Sequence, residues 1–93
     1  MVNKIAKKRT YLDIIADMLS IADKGNGMKK THLMYHTNLS YNQLRCYIDF
    51  LVKMDLLEVI KQSKDNIYRL TNKGRKFLEE YRKLKGLLTK AST

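Results

Sequence analysis

Apolar residues recur at helical spacing near the start of the chain. Leu12, Ile15, Leu19 and Ala22 fall on one side, and Ile14, Met18 and Ile21 widen that stripe. This pattern predicts an amphipathic helix that begins at Thr10, with Asp13 in its first turn where a negative charge is favourable. Residues 24–27, Lys-Gly-Asn-Gly, predict its end, because glycine and asparagine are typical of helix C-caps and turns.

Residues 31–53 predict two further helices joined by a tight turn. Thr31 is the expected N-cap of a helix that ends near Thr37, and Asn38 suits the left-handed conformation of a sharp turn. Ser40 and Gln43 then form a capping box that begins a third helix ending near Met54. Each helix has an apolar side that can face the other, formed by Leu33, Met34, Leu39, Leu44, Tyr47, Ile48 and Leu51. This is the helix-turn-helix pattern, although capped helices that bind nothing charged can share it.

Two β-rich stretches follow the third helix and predict a hairpin, or wing, over residues 56–70. Leu56–Lys61 and Ile67–Leu70 flank Gln62–Asn66, which has the composition of a turn. Basic side chains occur at the predicted tip and edges of this hairpin, namely Lys61, Lys64 and Arg69. They are candidate phosphate contacts beside a helix in the major groove. The alternative is a plain hairpin whose charged edge favours solubility.

The last helix is predicted to begin after its cap, Thr71. Its apolar residues step by four, three and four along one seam, at Phe77, Tyr81, Leu84 and Leu88. The hairpin already closes the core, so residues beyond Tyr81 have little left to cover. Pairing of this helix between two chains is therefore favoured over packing on its own domain. The predicted organisation is a basic arm (1–9), a winged helix-turn-helix domain (10–71) and a dimerisation helix (72–93).

The charge of the chain narrows the choice of partner. Its 93 residues suit one small domain, and 19 lysines and arginines oppose 9 acids, for a net charge of +10. Such an excess indicates a polyanionic partner, nucleic acid or an anionic membrane, although ribosomal and merely soluble basic proteins also carry it. Residues 31–60 are nearly neutral and both flanks are basic. That distribution suits a recognition element held in place by flanks that contact phosphates.

Specific candidate DNA contacts follow from this distribution. In the N-terminal arm, Lys7, Lys8 and Arg9 could order on a phosphate backbone, or form an ordinary solvated terminus. On the third helix, the exposed residues Asn42, Gln43 and Arg45 could contact base edges, since Asn and Gln pair with adenine and Arg with guanine. Tyr41 could contact a phosphate or pack against the turn. An ordinary wet helix face is the alternative.

Other chemistry is not expected. Cys46 is the single cysteine, so no intrachain disulfide can form, and a reducing, cytoplasmic location fits. Neither a signal peptide nor an apolar run long enough to span a bilayer is evident. His32 and His36 have the i, i+4 spacing of metal ligands, but no cluster of cysteines or acids completes a site. We therefore expect no metal, no cofactor, no small-molecule ligand and no enzymatic activity.

A family resemblance adds to these predictions. The motifs Thr31-x-Leu-Met-Tyr, Asn38-Leu-Ser-Tyr-x-Gln-Leu44, Tyr47-x-x-x-Leu51 and Tyr68-x-Leu-Thr-x-Lys-Gly74, followed by Phe77-Leu-x-x-Tyr81, resemble archaeal winged-helix proteins. Among these the chain is similar to the small basic chromatin-associated "10a" family of Sulfolobus-type archaea. The resemblance implies a nucleoid-associated homodimer that binds double-stranded DNA, with its C-terminal helices paired as an antiparallel coiled coil. It also implies a recognition helix over 40–54 and a wing over 57–70.

The expected fold is mainly α with a small β-hairpin, a winged helix-turn-helix with a long C-terminal helix that forms an antiparallel coiled-coil dimer. The expected function is binding of double-stranded DNA in chromatin organisation or transcription regulation. Scarcity of arginine on the third helix favours low sequence specificity. The alternative is a protein–protein assembly module that does not contact DNA.

Overall fold

The computed structural model describes residues 10–25 and 27–91. Four helices and a three-stranded antiparallel sheet make up this part of the chain. In chain order the elements are α1 (Tyr11–Lys24), β1 (Met28–Lys29), α2 (Lys30–Thr37), α3 (Tyr41–Lys53), β2 (Leu57–Gln62), β3 (Asp65–Leu70) and α4 (Asn72–Ala91). The fold is the expected winged helix, with one strand more than the predicted hairpin.

Helix α1 begins with a reciprocal capping box. The hydroxyl of Thr10 accepts a hydrogen bond from the backbone N–H of Asp13, and the Asp13 carboxylate accepts one from the N–H of Thr10, both at 3.2 Å. The helix ends at Gly25, as predicted. Leu12 was expected on the core side but is 41% exposed. It lies in the first turn, at the end of the helix before the buried residues Ile15, Ala16, Met18, Leu19 and Ala22 begin.

Helix α2 begins one residue before its predicted cap. Its N-cap position is Lys29, which makes no side-chain capping bond, so the prediction of Thr31 as the cap is wrong. The cause is strand β1, in which Met28 pairs with Tyr68 and Lys29 with Ile67. Pairing keeps the chain extended through Lys29, and the helix begins directly after it.

The turn and the third helix match the sequence prediction closely. Asn38 is left-handed (φ 61°), and its N–H donates to the carbonyl of Met34 at 3.2 Å. The hydroxyl of Ser40 then accepts from the N–H of Gln43, while the Gln43 side-chain oxygen accepts from the N–H of Ser40. Both bonds of the predicted capping box are therefore present at the start of α3. The helix buries Leu44, Ile48 and Leu51.

The wing is the β2–β3 hairpin, and its register assigns each side chain to a face. Pairing runs from Leu57 with Leu70 to Gln62 with Asp65, so residues 63–64 form the turn. Because side chains alternate along a strand, Leu57, Tyr68 and Leu70 share one face. All three are buried in the core.

Helix α4 has two halves with different surroundings. Its hydroxyl cap is Thr71, as predicted, which accepts from the N–H of Gly74 at 2.9 Å. Leu78 is buried in the core, with Phe77 and Tyr81 partly buried against it. The hydroxyl of Tyr81 donates to the carboxylate of Asp13 on α1. The first half of the helix thus belongs to the domain core.

The second half of α4 projects an uncovered apolar surface. Three leucines there are largely exposed in the single chain, Leu84 at 57%, Leu87 at 68% and Leu88 at 65%. The predicted seam of Phe77, Tyr81, Leu84 and Leu88 is therefore divided. Its first two members pack against the core of their own domain, and its last two are largely exposed.

Candidate nucleic-acid interface

The outward face of α3 is the centre of the candidate interface. Asn42, Cys46, Asp49 and Lys53 lie on the side of the helix opposite Leu44, Ile48 and Leu51, and Arg45 lies on its edge. All five are exposed. Within residues 10–25 and 27–91, no hydrogen bond or ion pair engages the side chains of Asn42, Arg45 and Asp49. These groups are therefore available to a ligand.

Gln43 differs from the other predicted base contacts. Its side-chain oxygen accepts a hydrogen bond from the N–H of Ser40 at 3.1 Å, which caps the helix. Pairing with adenine needs both the oxygen and the nitrogen of the carboxamide. The cap uses one of the two lone pairs of that oxygen and fixes the orientation of the carboxamide, so Gln43 is less free than its neighbours to reach a base edge. The structure thus leaves Asn42 and Arg45 as the free members of the predicted set.

Tyr41 connects the starts of the two helices of the motif. Its ring is exposed, and the ammonium of Lys30 lies 5.5 Å from the ring centre, within range of a cation–π contact. The ring therefore does not simply pack in the turn. It places a positive charge from the first residue of α2 beside the first residue of α3.

A small cleft of about 190 Å³ separates the start of α2 from the wing turn. It is lined by Lys29, Lys30, Thr31, Lys64, Asp65, Asn66 and Tyr68. Lys29 forms an ion pair with Asp65 at 3.1 Å, which leaves Lys30 and Lys64 as the cations not paired with an acid among the described residues. Sequence reasoning missed Lys29 and Lys30 here. Their adjacent positive charges were the available signal, but the helix was expected to begin after them.

The basic residues of the wing do not form a single cluster. In the strand register Lys61 lies opposite Asn66, a residue that lines the cleft. Arg69 lies opposite Glu58 at the base of the hairpin, and its side chain is on the other face of the sheet. The guanidinium of Arg69 also donates to the carboxylate of Glu58 at 3.0 Å. The three predicted phosphate contacts therefore do not share one face of the wing. The register separates Arg69 from Lys61 and Lys64, and Glu58 partly neutralises its charge.

Arg69 instead lines a larger cleft of about 540 Å³. This cleft is bordered by the end of α1, the base of the wing and the start of α4. Its basic groups already have protein partners. The guanidinium of Arg75 lies 2.8 Å from the carboxylate of Asp23, and the ammonium of Lys73 donates to the carbonyl of Met54 at 2.9 Å. This cleft consequently offers no surplus of positive charge to a polyanion.

The remaining candidates add nothing to the interface. Lys7, Lys8 and Arg9 lie outside the described residues. His36 is exposed, and its ring packs edge-on against Tyr35 at 5.5 Å. Among residues 10–25 and 27–91, no group of three or more His, Cys, Asp or Glu side chains could hold a metal ion. None of the helices described has the length and hydropathy needed to cross a membrane.

Comparison with known protein families and solved structures identifies the class of protein to which this fold belongs. Residues 8–89 match the winged helix-turn-helix family model, and the chain belongs to that family. The archaeal protein MJ0290 of Methanocaldococcus jannaschii, which is uncharacterized, is 36% identical over 73 residues. That match covers 78% of this chain and 32% of MJ0290, so the chain spans about a third of that relative's length.

Two solved structures show the same architecture. Sso10a-2, a DNA-binding protein from Sulfolobus solfataricus, is 26% identical, with 90% of each chain covered and a TM-score of 0.72. The transcriptional regulator BldR from the same organism is 23% identical, with 88% of this chain and 60% of BldR covered and a TM-score of 0.73. The likeness to BldR shows the fold alone. The predicted resemblance to archaeal winged-helix proteins is confirmed.

Proposed function

We propose that this chain binds double-stranded DNA, with α3 in the major groove and the wing turn on the adjacent phosphates. The observation that carries the proposal is the surface shared by three elements. Asn42 and Arg45 of α3, Lys30 of α2 and Lys64 of the wing turn border that surface, and none of their side chains is paired with an acid among the described residues. In a helix-turn-helix protein, these elements border the DNA.

The ion pairs elsewhere strengthen this assignment. Lysines and arginines that pair with a protein carboxylate gain less from a phosphate, because the carboxylate cancels part of their charge and competes for the same hydrogen bonds. Arg69 and Arg75 are in that position, whereas Lys30 and Lys64 are not. The net charge of +10 then supplies a long-range attraction to the DNA, and local contacts orient the protein on it.

The proposal includes a homodimer formed through the second half of α4. Exposed apolar side chains in water favour association at about 25 cal/mol for each square ångström that pairing buries. The contacts of Phe77 and Tyr81 with their own domain restrict the proposed seam to Leu84, Leu87 and Leu88. Two-fold pairing would let one surface serve both partners and would set two copies of α3 at a fixed separation.

In this proposal the protein acts in the cytoplasm, associated with the nucleoid, in chromatin organisation or transcription regulation. The name of Sso10a-2 as a DNA-binding protein and that of BldR as a transcriptional regulator support these two roles. An assembly module that does not touch DNA is the competing function. The exposed leucines of α4 would serve it equally well, so the test must measure DNA directly.

The test is the salt dependence of DNA affinity, measured by fluorescence anisotropy on two unrelated duplexes. Phosphate binding releases counterions, so the affinity should fall steeply as salt rises. Lys64→Ala should weaken binding about equally on both duplexes and lower the slope by about 1. Lys76→Ala removes the same charge from an exposed site on α4 and should leave the slope unchanged.

Two results would count against the proposal. If the wild-type protein binds neither duplex, the assembly function is favoured over DNA binding. If it binds both with a steep slope that Lys64→Ala does not change, DNA binding stands but the wing turn lies outside the interface.

A further inference from the structure

The outward face of α3 carries one acid. Asp49 lies seven residues after Asn42, two helical turns along the same face, and is exposed. The acid of the neighbouring wing turn, Asp65, forms an ion pair with Lys29. Among the described residues, Asp49 has no such partner.

A free carboxylate on this face is unfavourable for binding DNA of arbitrary sequence. An ionised carboxylate only accepts hydrogen bonds, and it is repelled by the phosphates on both sides of the major groove. Guanine presents only acceptors on its major-groove edge, and so does thymine apart from its methyl group. Against these bases the Asp49 carboxylate would lose water without gaining a hydrogen bond.

Cytosine offers the complementary group. Its exocyclic amino group is a hydrogen-bond donor in the major groove, and acidic side chains accept from it. Adenine also has an amino group, but an acceptor nitrogen lies beside it and repels a second carboxylate oxygen. The carboxylate therefore favours cytosine over the other three bases.

We propose that Asp49 determines sequence specificity by accepting a hydrogen bond from the amino group of a cytosine. The inference rests on the proposed function, because it assumes that α3 lies in the major groove. The step of seven residues from Asn42 to Asp49 spans about 10 Å along the helix axis, so the cytosine lies about three base pairs from the base next to Asn42. The protein then selects its sites, contrary to the low specificity suggested by the scarcity of arginine on α3.

The experiment combines selection from a pool of random duplexes with anisotropy on the selected site and on mixed-sequence DNA. The wild-type protein should enrich a motif with a fixed cytosine. Asp49→Ala should lose that preference, by roughly tenfold to a hundredfold, and should bind mixed-sequence DNA several-fold more tightly. Asp49→Asn should shift the preference at that position to adenine, with which a carboxamide pairs through two bonds.

Glu79→Ala is the matched control, because it removes the same charge from an exposed position on α4. It should keep the wild-type motif, and circular dichroism should show that all variants retain the fold. If Asp49→Ala selects the same motif as wild type, or if wild type selects none, the inference is overturned while DNA binding stands. Absence of binding to any duplex would refute the proposed function and the inference together.

Discussion

Replacing Gly74 with alanine should destabilise the domain, although alanine is the better helix former. Gly74 lies in the first turn of α4, where the helix crosses the end of α3 and the start of the wing. A Cβ atom at this position would overlap the carbonyl oxygen of Leu56 and would approach Cδ1 of Leu70 to 2.7 Å. The Leu56 carbonyl is backbone and already accepts a hydrogen bond from the N–H of Thr71 at 3.2 Å, so it cannot move freely.

Two opposing contributions, helix propensity and steric overlap, determine how far Gly74→Ala changes the free energy of unfolding. Alanine in place of glycine inside a helix stabilises it by about 1 kcal/mol. Overpacking against a fixed neighbour typically costs about 1–3 kcal/mol, and displacing α4 would also weaken its cap at Thr71. We expect a net loss of about 1–2 kcal/mol, with Tm falling by about 4–8 °C for each kcal/mol.

Gly86 provides the matched control on the same helix. A Cβ atom there would meet nothing within 4 Å, so Gly86→Ala should stabilise the protein by up to about 1 kcal/mol. Thermal and urea unfolding followed by circular dichroism give both values. They should be measured at several protein concentrations, because association shifts apparent stability. A Gly74→Ala variant as stable as wild type would refute the close approach of α4 to the Leu56 carbonyl.

The remaining predictions concern a cap, a titrating carboxylate and the dimer. Ser40→Ala should cost about 1 kcal/mol in urea unfolding because it removes the α3 cap, whereas Ser40→Asp should retain most of the stability. The hydrogen bond from Tyr81 is the largest of the effects that lower the pKa of Asp13. This stabilisation is present above the unfolded-state pKa of Asp13 and is lost as pH falls through the lowered folded-state value. The Tm difference between wild type and Tyr81→Phe should therefore shrink in acid, and a pH-independent difference would contradict this coupling. Sedimentation at micromolar concentration should show a wild-type dimer and a folded monomer for Leu84→Lys with Leu88→Lys, whose DNA binding should be much weaker. A monomeric wild type would refute the seam, and a dimer that survives both lysines would place the interface elsewhere.

Local interactions explain why the sequence predicted the helix-turn-helix so well. The capping box of Ser40 and Gln43 and the left-handed Asn38 involve partners no more than four residues apart. The turn of the wing is local in the same sense, because residues 63–64 join two strands that follow each other in the chain. Such features are determined by neighbouring residues, so their patterns remain visible in the sequence.

Strand β1 was missed because nothing local specifies it. Met28 and Lys29 are extended because they pair with Tyr68 and Ile67, about forty residues later in the chain. That pairing moved the start of α2 to Lys30 and brought Lys29 to Asp65. No periodicity in a two-residue strand could have indicated either result.

The candidate site was predicted less completely than the fold, because a list of basic residues does not show which of them are neutralised. The sequence alone does not show that Arg69 stands opposite Glu58 in the hairpin. Nor does it show that Lys30 lies beside the Tyr41 ring, because that contact depends on how two helices pack. Charge pairing across a fold depends on register and packing, which composition does not determine.

The capping role of Gln43 has a consequence for how such a protein can diverge between lineages. A mutation at Gln43 would alter the cap of α3 together with the proposed DNA-binding surface, so selection would act on both at once. The side chains of Asn42, Arg45 and Asp49 make no hydrogen bond or ion pair that stabilises the fold within the described residues. Under the proposed function, duplicated copies could therefore acquire new target sites through these three positions while the fold stays unchanged.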